Sequence, residues 1–111
     1  MSRSAERLEN LVQGVVIWAR EKGIVYKDCA MPQWHKMNEE VQELKAEIFL
    51  QDKAGIADEL GDVLVTCIVQ ADIQGLDVAT ILEAAYRKIS KRKGRLIDGQ
   101  FVKDEVAHDA G

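Results

Sequence analysis

The feature that most limits the fold of this chain is residues 53–74, which are apolar around most of a helical circumference. The apolar residues of this stretch are Ile56, Leu60, Val63, Leu64, Val65, Cys67, Ile68, Val69, Ala71 and Ile73. A surface helix has one apolar stripe, whereas a helix that is apolar on several sides needs neighbours on several sides. We therefore expect residues 53–74 to form a central helix.

Three other segments have the apolar spacing of a helix: residues 4–21, 35–50 and 77–93. Asp77 fits the N-cap of the last of them, and Gly75 fits the left-handed position that follows the end of the central helix. With one proline in the chain and few aromatic residues, the turn-rich pattern of an all-β protein is missing. The sequence predicts an all-α fold resembling a four-helix bundle.

The remaining segments lack a regular spacing of apolar residues. Residues 23–34 contain the chain's only proline, Pro32, and are expected to be a connection. Residues 96–111 end in a polar stretch and are expected to be less ordered. A length of 111 residues with 47% apolar content is typical of a single domain with its own core, so we predict one domain over residues 1–111.

Charge and composition exclude several classes of protein. The net charge of −4 argues against a nucleic-acid or membrane binder, because both need a positive surface. Cys29 and Cys67 are too far apart for a zinc or redox motif. No signal peptide and no apolar run of roughly 18 to 20 residues are found. We expect a cytoplasmic protein without nucleic-acid or membrane partners.

Two of the predicted helices each carry two acids three residues apart. The pairs are Glu40 with Glu43, and Glu59 with Asp62. This spacing puts both members of a pair on one helix face, beside the apolar stripe. If the two helices pack antiparallel through their stripes, the four carboxylates face one another. Because like charges repel at short range, such a cluster favours a divalent cation, and oxygen ligands select Mg²⁺, with Mn²⁺ as a substitute.

Two other interpretations of these acids are less favoured. A single pair of this kind is usually a solvated surface feature, but Glu59 and Asp62 lie on an almost wholly apolar helix, where unpartnered acids are costly to bury. A di-iron carboxylate bundle needs a Glu-x-x-His motif on each of two helices, which His35 and His108 do not provide. A functional site for Mg²⁺ is therefore favoured over both.

Basic residues are concentrated near the end of the fourth predicted helix. They are Arg87, Lys88, Lys91, Arg92, Lys93 and Arg95. The helix macrodipole accounts for some cations at a C-terminus, but six in an acidic chain predict an anion site. Arginine in particular binds phosphate oxygens in a bidentate manner.

Three pieces of the sequence, KMNEEVQELKAEI, ADELGDVLV and YRKISKRKGR, resemble the MazG-type nucleotide pyrophosphohydrolases of the all-α NTP pyrophosphatase superfamily. The similarity covers about residues 18–95. The ExxE and ExxD signature of the family is matched at Glu40, Glu43, Glu59 and Asp62. The resemblance implies cleavage of a nucleoside triphosphate, ribo or deoxy, to the monophosphate and pyrophosphate, with these four acids as Mg²⁺ ligands. Nucleotide-pool housecleaning is the role this implies.

The resemblance also implies that Lys36 contacts phosphate and that the chain assembles as a dimer or a dimer of dimers. The family often carries K-x-x-x-N-x-x-R in its later motif. Here Lys88 and Arg95 match its ends, while Arg92 stands at the position of the Asn. The nucleotide contact usually made by that Asn is therefore altered in this chain.

The expected reaction is an in-line attack of water on the α-phosphorus, assisted by Mg²⁺. We predict that Glu39 or Glu43 orients the water. The cations predicted to bind the phosphates are Lys88, Lys91, Arg92 and Arg95.

Aromatic faces suit stacking on a base. Trp34 and His35, at the start of the second predicted helix, are the predicted base neighbours, while Trp18 is expected to pack in the core. Two alternatives to the pyrophosphohydrolase remain open: a catalytically inactive helical interaction module, and a metal-dependent hydrolase of other phosphate compounds.

Overall fold

The computed structural model describes residues 3–104, which are mostly helical. Within this range the elements are α1 (Arg3–Glu21), a short 3₁₀ turn (Lys27–Cys29), α2 (Ala30–Leu50), α3 (Lys53–Ile73), α4 (Val78–Ser90), β1 (Gly94–Ile97) and β2 (Gln100–Lys103). Four α-helices in the described residues confirm the all-α prediction.

The described chain forms two compact units, one ending at Val78 and the other beginning at Ala79. The first holds α1, α2 and α3, and the second holds most of α4 and both strands. The single domain over residues 1–111 stays a prediction.

In the first unit α3 is the central helix, because α2 packs along it and α1 packs on it. Its Val69 is only 1% exposed, and Thr66 and Ala71 are also buried. The Arg20 guanidinium joins α1 to α3 by donating to both carboxylate oxygens of Asp72, at 3.1 Å and 2.8 Å. The central position predicted for residues 53–74 is thus confirmed.

Helix ends in this unit follow from backbone chemistry. Gly23 and Gly75 have φ of +75° and +70°, which glycine adopts without steric cost. After Gly75, the Leu76 N–H donates to the Ala71 carbonyl at 2.8 Å and the Gly75 N–H to the Asp72 carbonyl at 3.0 Å. This pair of bonds is the Schellman motif, as expected for Gly75.

The second helix begins at Ala30, five residues earlier than the predicted start at residue 35. Pro32 lies in the first turn of α2, where backbone N–H groups have no partner within the helix, so that proline is tolerated there. The connection predicted for residues 23–34 is correspondingly shorter. As a consequence, Gln33 and Trp34 are helical and, like Lys36, project from defined faces of α2.

The second unit contains a β-hairpin that was not predicted from the sequence. Strands β1 and β2 pair antiparallel, with Ile97 opposite Gln100. Asp98 and Gly99 between them have φ of +49° and +81°, as a two-residue type I′ turn requires. The hairpin covers residues 94–103, and α4 ends at Ser90 rather than at residue 93. The remainder of the predicted less-ordered stretch, residues 105–111, lies outside the described residues.

Few apolar side chains of the described residues are fully buried: Ala19, Val69 and Ala71. Of the helices in residues 3–104, none alone is long and apolar enough to cross a membrane. Only α3 and α4 counted together, as a bent pair, reach the required length and apolar composition.

Candidate functional site

The acidic site is built by the turn between α2 and α3. Gln51 ends α2 in the left-handed conformation, and the Asp52 carboxylate caps α3 by accepting from the Gly55 N–H at 3.2 Å. This two-residue connection turns the chain so that α3 packs along α2. The acids of the two helices consequently meet along one edge of the pair.

Two overlapping groups of carboxylates result. Glu40, Glu43 and Glu59 each place an oxygen within 4.8 Å of the others, and Asp58, Glu59 and Asp62 do the same. The structure therefore brings together the four acids singled out in the sequence, with Glu59 common to both groups. Their role as metal ligands stays a prediction.

Glu40 is the most buried of these acids, with 5% of its surface exposed. Its Oε1 accepts from Lys36 Nζ at 3.1 Å, one helical turn earlier. Its Oε2 and the Oε2 of Glu59 are buried without a hydrogen-bond partner among the described residues. A buried carboxylate oxygen without a partner is costly, and a cation that accepts both oxygens as ligands would remove that cost.

The pKa values reflect the crowding of these acids. Hydrogen bonding with Glu40, together with burial and the charge of Glu43, raises the pKa of Glu59 to about 7. Hydrogen bonds from Glu59 and Lys36 lower the pKa of Glu40. Burial, followed by repulsion from Asp58 and Glu40, raises the pKa of Asp62. Without a cation, Glu59 therefore keeps its proton to a higher pH than an ordinary glutamate does.

A cavity of about 420 Å³ adjoins these acids in the first unit. Its lining residues are Trp18, Ile24, Gln33, Lys36, Glu40, Asp62, Val65, Thr66 and Val69. Trp18, which was expected in the core, is instead 46% exposed and lines this cavity. The cavity combines charged groups with an apolar, partly aromatic wall, as ligand sites commonly do.

The predicted base neighbours Trp34 and His35 lie on α2 with their rings edge to face, 5.0 Å between centroids. Both are exposed, as is Glu39, the residue before Glu40. Within the described chain, the lining of the 420 Å³ cavity includes Gln33 and Lys36 of α2 but neither ring. Base contact by Trp34 and His35, and water orientation by Glu39 or Glu43, stay predictions.

The basic cluster lies in the second unit. Lys88 is in the last turn of α4, Lys91 and Arg92 follow that helix, and Arg95 is on β1. All four are exposed. Their predicted contact with phosphate stays a prediction.

A family model described as the MazG nucleotide pyrophosphohydrolase domain matches residues 33–97, more than half of the chain. The chain belongs to this family. Comparisons with curated proteins and with solved structures found no match. The matched part of the MazG domain begins at Gln33 and includes both groups of carboxylates.

Two acids of the MazG domain were not predicted to belong to the site. Asp58 shares the second group with Glu59 and Asp62. Glu47 has a buried Oε2 without a partner in the described chain, and burial followed by repulsion from Asp52 raises its pKa. Glu47 lies one turn after Glu43 on the same acidic stripe, and that continuing spacing was the signal that could have identified it.

Proposed function

We propose that this MazG domain is a Mg²⁺-dependent nucleoside triphosphate pyrophosphohydrolase, which cleaves a ribo- or deoxynucleoside triphosphate to the monophosphate and pyrophosphate. The observation that carries the proposal is the meeting of Glu40, Glu43 and Glu59 within 4.8 Å, with two buried oxygens unpartnered in the described chain. Membership of the pyrophosphohydrolase family agrees with it. That membership also favours the enzyme over the inactive interaction module.

The acids fit a hard divalent cation. All the candidate ligands are carboxylate oxygens, which Mg²⁺ and Mn²⁺ prefer, and no histidine or cysteine belongs to either group. We propose Glu40, Glu43, Glu59 and Asp62 as its ligands. When bound, Mg²⁺ offsets the charge of the phosphates and lowers the pKa of water.

The chain's own cations bind and orient the substrate in this proposal. Lys36 lines the cavity beside Glu40, so its ammonium is held where it contacts a phosphate oxygen. Lys88, Lys91, Arg92 and Arg95 are proposed to hold the departing pyrophosphate by charge-assisted hydrogen bonds.

Other side chains act on water and base. Glu43 or its neighbour Glu39 accepts a hydrogen bond from the attacking water and so orients it. Trp34 and His35 present exposed aromatic faces on the same helix and are proposed to lie beside the nucleotide.

Product analysis tests the proposal. The protein is incubated with Mg²⁺ and each natural ribo- and deoxynucleoside triphosphate, and the products are separated by chromatography. We expect monophosphate and pyrophosphate, with at least about a hundredfold loss of rate in Glu59→Gln. Glu9→Gln, an exposed acid of α1, is the matched control and should keep the wild-type rate.

Other outcomes of that assay identify the alternatives. Release of inorganic phosphate in place of pyrophosphate indicates a hydrolase of other phosphate compounds. A wild-type protein that makes no product and does not bind millimolar Mg²⁺ indicates the interaction module. A Glu59→Gln variant as fast as wild type refutes the assignment of the site.

We also propose that the chain assembles as a dimer or a dimer of dimers in the cytoplasm. Many large apolar side chains of α1, α2 and α3 are more than 40% exposed, namely Leu8, Leu11, Ile17, Val41, Ile48, Phe49, Leu60 and Leu64. Exposed apolar surface of this extent is typical of a protein interface. Sedimentation equilibrium should give a multiple of 12.4 kDa, and a single species of 12.4 kDa at micromolar concentration contradicts the assembly.

A further inference from the structure

The cavity beside the acids has two kinds of lining. Lys36, Glu40 and Asp62 are charged, whereas Trp18, Gln33 and Thr66 are neutral and lie among aliphatic side chains. Its volume of about 420 Å³ falls within the range of small-molecule sites. A ligand that fills it therefore combines a charged part with a flat or apolar part.

The residues of α2 that line the cavity show how its charged and neutral parts are arranged. Gln33, Lys36 and Glu40 follow one another at spacings of three and four and so lie on one helix face. Gln33 is seven residues before Glu40, about 10 Å along the helix axis at 1.5 Å per residue. A ligand that reaches both residues is extended, with its charged part beside Glu40 and its neutral part beside Gln33.

Gln33 is available to bind such a ligand. Its side chain is half-buried, and its amide makes no hydrogen bond to any other described residue. A carboxamide offers a donor and an acceptor side by side, which matches the adjacent donor and acceptor groups along the edge of a nucleobase. Trp18 supplies an aromatic face in the same cavity, and base stacking on such a face tolerates any base.

Thr66 gives the cavity a preference among bases. Its Oγ1 donates to the Val63 carbonyl at 2.7 Å, so that its hydrogen is already used within α3. The buried hydroxyl can then only accept a hydrogen bond from a ligand. An exocyclic amino group of a base satisfies this acceptor, whereas a carbonyl oxygen at the same place is left facing another acceptor.

We infer that this cavity binds the base of the substrate, that Gln33 reads the base edge, and that the Thr66 acceptor favours bases with an exocyclic amino group over uracil and thymine. The inference rests on the proposed function for its substrate class. It names Gln33 and Thr66 as specificity residues, and it moves the stacking role from Trp34 to Trp18.

Turnover gives the first test. We compare kcat/KM for CTP and UTP, whose bases carry an amino group and a carbonyl oxygen at the same exocyclic position, and for their deoxy counterparts. Wild type should prefer CTP. Gln33→Leu should lower kcat/KM for both CTP and UTP roughly ten- to a hundredfold. Thr66→Val, which removes the acceptor, should reduce the ratio of CTP to UTP. Gln42→Leu, an exposed glutamine on α2 outside the cavity lining, should match wild type, and melting temperatures close to that of wild type confirm that all three variants are folded.

Binding without turnover gives the second test. In Trp34→Phe the remaining tryptophan is Trp18, so quenching of its fluorescence by CMP in a chelating buffer reports stacking in the cavity. We expect CMP to quench it, UMP to bind at least fivefold more weakly, Gln33→Leu to weaken the binding of both, and Thr66→Val to remove the difference between them.

The two tests separate the inference from the proposed function. CMP binding that depends on Gln33, with no hydrolysis of any triphosphate, refutes the proposed reaction and supports the base site. Hydrolysis to pyrophosphate with an unchanged kcat/KM in Gln33→Leu, an unchanged ratio of CTP to UTP in Thr66→Val, or a wild-type preference for UTP overturns the base site and leaves the reaction standing.

Discussion

The proton held by Glu59 determines how Mg²⁺ binding should depend on pH. The pKa of Glu59 is raised to about 7, and a carboxylate must lose its proton before it ligates a cation. With that pKa, binding should release about 0.9 proton at pH 6 and about 0.1 proton at pH 8. By the same reasoning, the apparent affinity for Mg²⁺ should be about tenfold weaker at pH 6 than at pH 8.

Isothermal titration calorimetry measures this release directly. Titrations at each pH are run in two buffers with different heats of ionisation, and the difference in observed heat gives the number of protons released. Glu59→Gln has no proton to lose at this position, so its release at pH 6 should fall well below that of wild type. Glu9→Gln should behave as wild type. Equal release at pH 6 and pH 8, or an unchanged release in Glu59→Gln, would refute the reasoning.

Three further predictions concern stability. In a chelating buffer the melting temperature should fall as pH rises from about 4.5 to about 7. The reason is that folded Glu59, with its raised pKa, keeps a proton that the unfolded chain releases at lower pH. Glu59→Gln should remove most of this fall, and a flat wild-type profile contradicts the prediction. In Gly61→Ala of α3 the new Cβ has no neighbour within 4 Å, so the free energy of unfolding in urea should rise by about 1 kcal/mol. The rise should be smaller in Gly55→Ala, because its new Cβ displaces the Glu47 carboxylate. An equal rise in both variants argues against that contact. Gly99→Ala places a side chain at φ +81°, which should destabilise the hairpin by about 1 kcal/mol. Hydrogen exchange of the hairpin amides should therefore become several-fold faster, while the amides of α3 serve as the unchanged internal reference.

The parts of the fold that could be predicted are those specified locally. The period of residues 53–74 identified the central helix, and Gly75 identified its end, because both depend on interactions within one turn or one helix. Pro32 was misjudged because a proline in a first turn and a proline in a loop look alike in sequence. The Asp98–Gly99 pair is a recognised hairpin signal, which the neighbouring basic and polar residues obscured.

The candidate site was predictable to the extent that it follows helix faces. Spacing of three placed Glu40 with Glu43 and Glu59 with Asp62, and the structure brings these acids together. The cavity was not predictable, because its walls come from α1, α2 and α3 at once. A helical projection of α1 places Trp18 at the rim of an apolar stripe but does not show whether another helix covers it.

The connection between α2 and α3 explains why the carboxylates meet despite their repulsion. Each residue turns a helix by 100°, so the two residues Gln51 and Asp52 determine which faces of the two helices oppose each other. The left-handed Gln51 and the capping bond from the Gly55 N–H to the Asp52 carboxylate stabilise this geometry, without any contribution from the four acids of the site. The fold therefore holds Glu40 and Glu59 together before a cation binds, and the raised pKa of Glu59 is the measurable sign of that preorganisation.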